Sequence, residues 1–193
     1  MPQHGINDLG QWEEYRQRSQ LAREKLSVDN VVLCNEQTPE VSNLFNLSFC
    51  ALILYSTISE YQKKARSGMI FTLLYLVLPV ILHRSTRSRI DSRTNMIVWL
   101  QRNPDALVGF PERARSLVSY ANEAIELLLR QQVVNIEGGK LTIDKPISKS
   151  RIDKYTAADH EVADCIKKSA HLGRWFFNMR SDESIYAAWG VRP

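Results

Sequence analysis

Residues 111–144, PERARSLVSYANEAIELLLRQQVVNIEGGKLTID, decide the fold. Ala114, Leu117, Val118, Ala121, Ala124, Ile125 and Leu128 recur every three or four positions, which places them on one stripe of an α-helix. Arg113, Arg115, Asn122, Glu123 and Glu126 lie off that stripe. Pro111 stands at the helix start, where its fixed φ suits the first turn and its missing N–H costs nothing. Beyond the helix, apolar runs at 133–136 and 141–143 flank Gly138-Gly139. A glycine pair accepts the positive φ of a tight hairpin turn. Upstream, RTNMIVWLQRNP predicts a short helix over Met96, Ile97 and Leu100 that stops at Asn103-Pro104. Short helix, long helix and β-hairpin is the order of a winged helix-turn-helix. It is also the order of a small α+β domain with no nucleic-acid role. The expected fold class is mainly α with a small β-hairpin: an α-helical domain with a winged helix-turn-helix-like arrangement.

Further upstream, residues 39–64 predict a long helix, nearly apolar all round, with Leu44, Phe45, Phe49, Leu52, Ile53 and Tyr55 among its members. GMIFTLLYLVLPVIL, residues 68–82, carries no charge. It is shorter than the ~20 residues a membrane helix needs and holds Pro79, so it predicts a buried central helix antiparallel to the first. Residues 7–26 predict a polar amphipathic helix with Trp12 and Tyr15 on its apolar side, and 31–35 a strand or an extended connector. Downstream, 144–155 reads as a polar linker. Thr156 to Asp159 then opens a last helix with Val162, Cys165, Ile166, Ser169, Leu172 or Gly173, and Phe176 inside. Ser181 or Asp182 caps one more turn before Gly190. The expected organisation is an N-terminal helical arm (1–38), a helical core with the winged-helix-like unit (39–145), and a linker with C-terminal helices packing on that core (146–193).

The 44% apolar and 24% charged fractions fit a globular protein, and a net charge of +4 permits nucleic-acid contact without requiring it. Cys34, Cys50 and Cys165 are odd in number and in no metal-binding spacing, so they read as reduced thiols of a cytoplasmic protein. The N-terminus has no apolar core of a signal peptide. Phosphate-cradling glycine motifs are missing, and His4, His83, His160 and His171 fall at no zinc-binding spacing. Asp159, His160 and Glu161 could form acid–base equipment, but acids at a helix start also complement its dipole. The expectation is a protein that is not an enzyme and takes no cofactor or metal.

Arg84, Arg87, Arg89 and Arg93 stand against one acid, Asp91, and are candidate phosphate contacts, with Lys140 at the hairpin tip. The plainer reading is a solvated loop with ion pairs to a protein. The C-terminal stretch HLGRWFFNMRSDESIYAAWGVRP is rich in aromatic surface. Trp175, Tyr186 and Trp189, with Trp12 and Tyr15, are candidate partner-binding residues; the alternative is that these C-terminal aromatics lock the terminus onto the core.

An apolar helix ending LPVILH, the arginines after it, WLQRNP, the Gly-Gly hairpin, and LGRWF with a final WGVRP are together similar to the middle component of three-component ABC ATPase systems. The likeness covers about residues 43–193 and leaves out the N-terminal helix. Such systems include the Lamassu-type defence against phages and plasmids, which joins an ATPase resembling Structural Maintenance of Chromosomes (SMC) proteins to an effector that is often a nuclease. The resemblance implies a non-catalytic accessory subunit whose partners are the SMC-like ABC ATPase and the effector nuclease. DNA would be met through the complex, and no membrane is involved. The competing readings are a free-standing winged-helix DNA-binding regulator and a small hydrolase with an unrecognised site.

Overall fold

A computed structural model describes residues 47–179 and 181–192. The helix expected at 7–26, the segment at 31–35 and the start of the helix expected at 39–64 lie outside those residues. Helix α1 (Leu47–Ala65) runs through the centre, and every residue from Phe49 to Ile58 is buried. Its apolar surface explains that position, because a helix that is apolar all round has no face to give to water. Ser56 and Thr57 are tolerated there because their hydroxyls donate to the Leu52 and Ile53 carbonyls, at 2.8 and 3.2 Å. Lys63 and Lys64 in the last turn complement the helix dipole.

The uncharged segment 68–82 is buried as expected, but it is not one helix. It divides into strand β1 (Met69–Ile70), a 3-10 turn (Phe71–Leu76) and helix α2 (Val77–Ile81). Pro79 has no N–H to give the Tyr75 carbonyl, so α-helical bonding cannot run through it, and the α-helix restarts with Pro79 in its first turn. Sheet pairing claims the front of the segment, where Met69 faces Leu141 and the Phe71 N–H donates to the Gly139 carbonyl at 3.0 Å. Among the described residues no helix is long and apolar enough to cross a membrane.

Helix α3 (Arg84–Arg89) follows, then α4 (Met96–Arg102), capped by Asn95, whose side chain accepts the Val98 N–H at 2.9 Å. The expected long helix is two, α5 (Phe110–Ser116) and α6 (Val118–Arg130). At Leu117 the N–H bonds three residues back, to Ala114, and this tighter step shifts the helical phase. Ala114, Leu117, Ala121, Ala124, Ile125 and Leu128 remain one buried stripe, while Val118 is turned out.

Strands β2 (Val134–Glu137) and β3 (Lys140–Ile143) form the expected hairpin, and Gly138 and Gly139 have φ of 56° and 74°. Two consecutive left-handed residues make the turn whose twist matches a hairpin. The strand β1 adds to β3, giving a three-stranded antiparallel sheet in the order β1-β3-β2. The fold is therefore mainly α with a small sheet.

The expected linker after the sheet contains a helix, α7 (Lys149–Ala157), with no buried residue. Helix α8 (His160–Asn178) opens three residues later than the capping box suggests: Asp159 is itself the cap, its carboxylate accepting the Glu161 and Val162 N–H groups at 2.7 and 3.3 Å. Thr156 instead bonds back to the Ile152 carbonyl within α7. Ser181 caps α9 (Asp182–Ala188), and Gly190, at φ 67°, ends it. Helix α8 packs along α1, where the Thr57 hydroxyl donates to the Ser169 carbonyl at 3.1 Å.

Candidate functional site

Trp175, Tyr186 and Trp189 are not a docking surface: they are core. Trp189 is fully buried, stacked on Phe110 with ring centres 4.6 Å apart, and Trp99 lies 6.2 Å from Trp189 and 5.5 Å from Trp175. The indole N–H groups of Trp175 and Trp99 donate to the Thr94 and Arg89 carbonyls, each at 2.7 Å. Helix α9, capped at Ser181, ends at Trp189, whose ring lies in the core against Phe110. Trp12 and Tyr15 lie outside the described residues.

The arginines separate into three roles. Arg87 is 4% exposed, and its donors are committed: to the Ile81 carbonyl at 2.8 Å, Glu161 at 2.6 Å and Asp164 at 3.0 Å. It is therefore a structural clamp between α3 and α8, not a phosphate contact. Arg89 pairs with Asp105 at 2.8 Å, and Arg93, largely exposed, reaches Asp91 at 3.3 Å. Arg84 is exposed. Lys140 opens β3 rather than forming the hairpin tip, and its neighbours across the sheet are Glu137 and Ile70. Of the five cations, Arg87 is withdrawn from the surface and Arg89 and Arg93 are paired with acids.

Arg87 also answers a local need. Helix α2 has only five residues, so its final carbonyls have no partners within it. The Arg87 guanidinium takes Ile81, and Arg113, from α5, takes Pro79 at 3.1 Å and Ala106 at 3.2 Å. Arg87→Ala should therefore lower unfolding free energy by about 2 kcal/mol, below the figure for a fully buried pair because Glu161 and Asp164 can resolvate. Lysine should rescue poorly, since a point charge cannot reproduce three directed bonds. Urea unfolding followed by circular dichroism measures both.

Among the described residues the thiols are withdrawn; Cys34 and His4 lie outside those residues. Cys50 and Cys165 are buried free thiols, and burial pushes both up to about 11. Iodoacetamide at neutral pH should modify them about a hundred times more slowly than a free thiol, as peptide mapping would show. His171 is buried against Trp175, and burial with the nearby Arg174 holds its imidazole below the usual range. His160 begins α8 as an exposed residue, and His83 lies 2.6 Å from the Thr86 hydroxyl. Asp159 caps and Glu161 clamps, so the acids at the start of α8 are structural. Among the described residues no group of three or more His, Cys, Asp or Glu could hold a metal ion.

An open groove of about 820 Å³ lies between the C-terminal half of α1, the segment from β3 into α7, and α8. Its walls include Tyr55, Glu60, Arg66, Ile147, Lys149 and Ile166. The Tyr55 hydroxyl accepts the Ile147 N–H at 3.0 Å, and the Gln62 side chain accepts the Ile143 N–H at 2.7 Å, so α1 fixes the connector. Sequence reading missed this groove because its walls come from separate elements, one of them read as linker. The shared helical phase of Tyr55, Ser59 and Gln62 is the signal that could have found one wall.

The family model described as ABC-three component (ABC-3C) system Middle Component 3 matches residues 34–193, which takes in the sheet, the groove and the aromatic terminus. No curated protein and no solved structure matches the chain. The chain belongs to the ABC-3C system Middle Component 3 family.

Proposed function

We propose that this middle component is a non-catalytic accessory subunit that bridges an SMC-like ABC ATPase and an effector nuclease, in Lamassu-type cytoplasmic immunity against phages or plasmids. The family match over most of the chain carries the reading, because a middle component works with the other components of its system. The withdrawn thiols and the structural use of the acids at the head of α8 support the non-catalytic part.

The sheet order supports a winged-helix arrangement: a helix and a short strand precede α4 to α6, and β1 pairs beside the hairpin. A helix that reads DNA in such a unit gathers cations on its outward face. Helix α6 instead presents Ser119, Glu123 and Arg130, with Arg130 paired to Glu126, and the hairpin sets Glu137 opposite Lys140. That surface suits protein contact better than a phosphate backbone. Co-expression of the tagged chain with the products of its neighbouring genes tests the reading. Recovery of an ATPase and a nuclease supports it. A lone chain that binds duplex DNA at about 50 mM salt and captures neither protein overturns it in favour of the regulator.

A further inference from the structure

The groove described above has an aliphatic floor and a cationic rim. Ile143, Ile147, Ile152 and Ile166 line it, each half-buried, so their remaining surface faces the opening. Half-covered isoleucines from three elements converging on one concavity leave apolar area that a partner can cover. On the rim, Lys63, Arg66 and Lys149 are exposed, against Glu60 and Asp153. Glu60 is already engaged by Lys63 at 2.7 Å and by Arg174 at 2.9 Å, and the hydrogen bonds they donate keep its carboxylate ionised against the opposing effect of burial. Interspersed in sequence with the lining residues, Arg151 and Lys154 are exposed, as is Lys145, which bonds to Gln132.

We infer that this groove receives an extended acidic segment of another component of the system, with aliphatic side chains on the four isoleucines and carboxylates on Arg66 and Lys149. The inference rests on the accessory-subunit reading and names the chemistry of the partner. Charge complementarity selects an acidic occupant, and the floor selects a peptide over a nucleic acid. A single strand binds by stacking bases on exposed aromatic rings, whereas Tyr55 is buried and its hydroxyl is bonded to the connector. Arg66 is well placed for a carboxylate, being exposed at the end of α1 with its backbone held at φ 52°.

The test is zero-length carbodiimide coupling of amines to carboxylates in the assembled system, followed by peptide mapping. Lys63 or Lys149 should couple to Asp or Glu of a partner component. The double variant Arg66→Glu/Lys149→Glu should reduce partner recovery about tenfold at about 0.1 M salt, whereas Arg93→Glu, outside the groove, should leave it unchanged. Both reversed residues are exposed, and an acid at the first position of α7 suits the helix dipole, so the variant should melt with the wild type. Ile152→Asp tests the floor and should weaken recovery similarly. Full recovery with the double variant overturns the groove but leaves the accessory role intact. A wild-type chain that recovers no component removes both. Couplings confined to a second copy, or to residues 1–46 of the same chain, overturn the proposed occupant. So does loss of duplex DNA binding with partners retained.

Discussion

Trp189→Ala is expected to lower the unfolding free energy by about 4 kcal/mol, near the upper part of the range for a buried aromatic. Trp189 is fully buried, and its ring is stacked on Phe110 and set against Trp99. Removing it empties a site walled by rigid rings from α4 and α5, which cannot collapse into the space. Stacked pairs also contribute about 1 kcal/mol beyond their area. Any loss of assembly in the variant should therefore follow from its lost stability, and Trp189→Phe should recover part of that loss. Urea midpoints of the three proteins decide it. An alanine variant that folds like wild type but loses its partners would return Trp189 to a docking role.

Gly173→Ala should be nearly as damaging, although general helix propensity argues for the opposite sign. An alanine in place of glycine inside a helix ordinarily stabilises by about 1 kcal/mol. Here a Cβ on Gly173 would sit 2.3 Å from the Thr57 carbonyl oxygen and 3.2 Å from the Tyr61 nitrogen, all backbone atoms of α1. Neither helix can rotate a backbone aside, so α8 must lift away from α1 along their shared face, and the Thr57-to-Ser169 bond is stretched with it. A net loss of about 3 kcal/mol is expected, at the top of the overpacking range. Calorimetric melting of Gly173→Ala, with Lys167→Ala as an exposed control on the same helix, measures it. A raised melting temperature for Gly173→Ala would refute the close α1–α8 packing.

These two residues show what the sequence could and could not disclose. The stripe from Ala114 to Leu128, the Gly-Gly turn and the cap at Ser181 are local patterns, and local patterns specify local structure. Gly173 was legible as an inner-face position, but the reason for a glycine lies on a helix more than a hundred residues earlier in the chain. The two-residue β1 is too short to show alternation, and its strand character comes only from pairing with Leu141 and Lys140. Helix α7 has no apolar stripe, so periodicity had nothing to find. The arginines misled for a related reason. Charge counts treat Arg84 to Arg93 alike, whereas the unpaired carbonyls of the truncated α2 and the acids of α8 draw Arg87 alone into the interior. The aromatic terminus reads in sequence as two choices, lock or dock, and the burial of Trp189 against Phe110 and Trp99, which lie about eighty to ninety residues earlier in the chain, favours the lock.

The family assignment gives the chain partners among the other components of its system, and the role proposed for it is to join them. Native mass spectrometry of the co-expressed system, with and without this chain, tests that most directly. The account predicts one assembly containing all three components when the chain is present, and separate ATPase and effector when it is omitted. An ATPase and effector that remain joined without it would contradict the account.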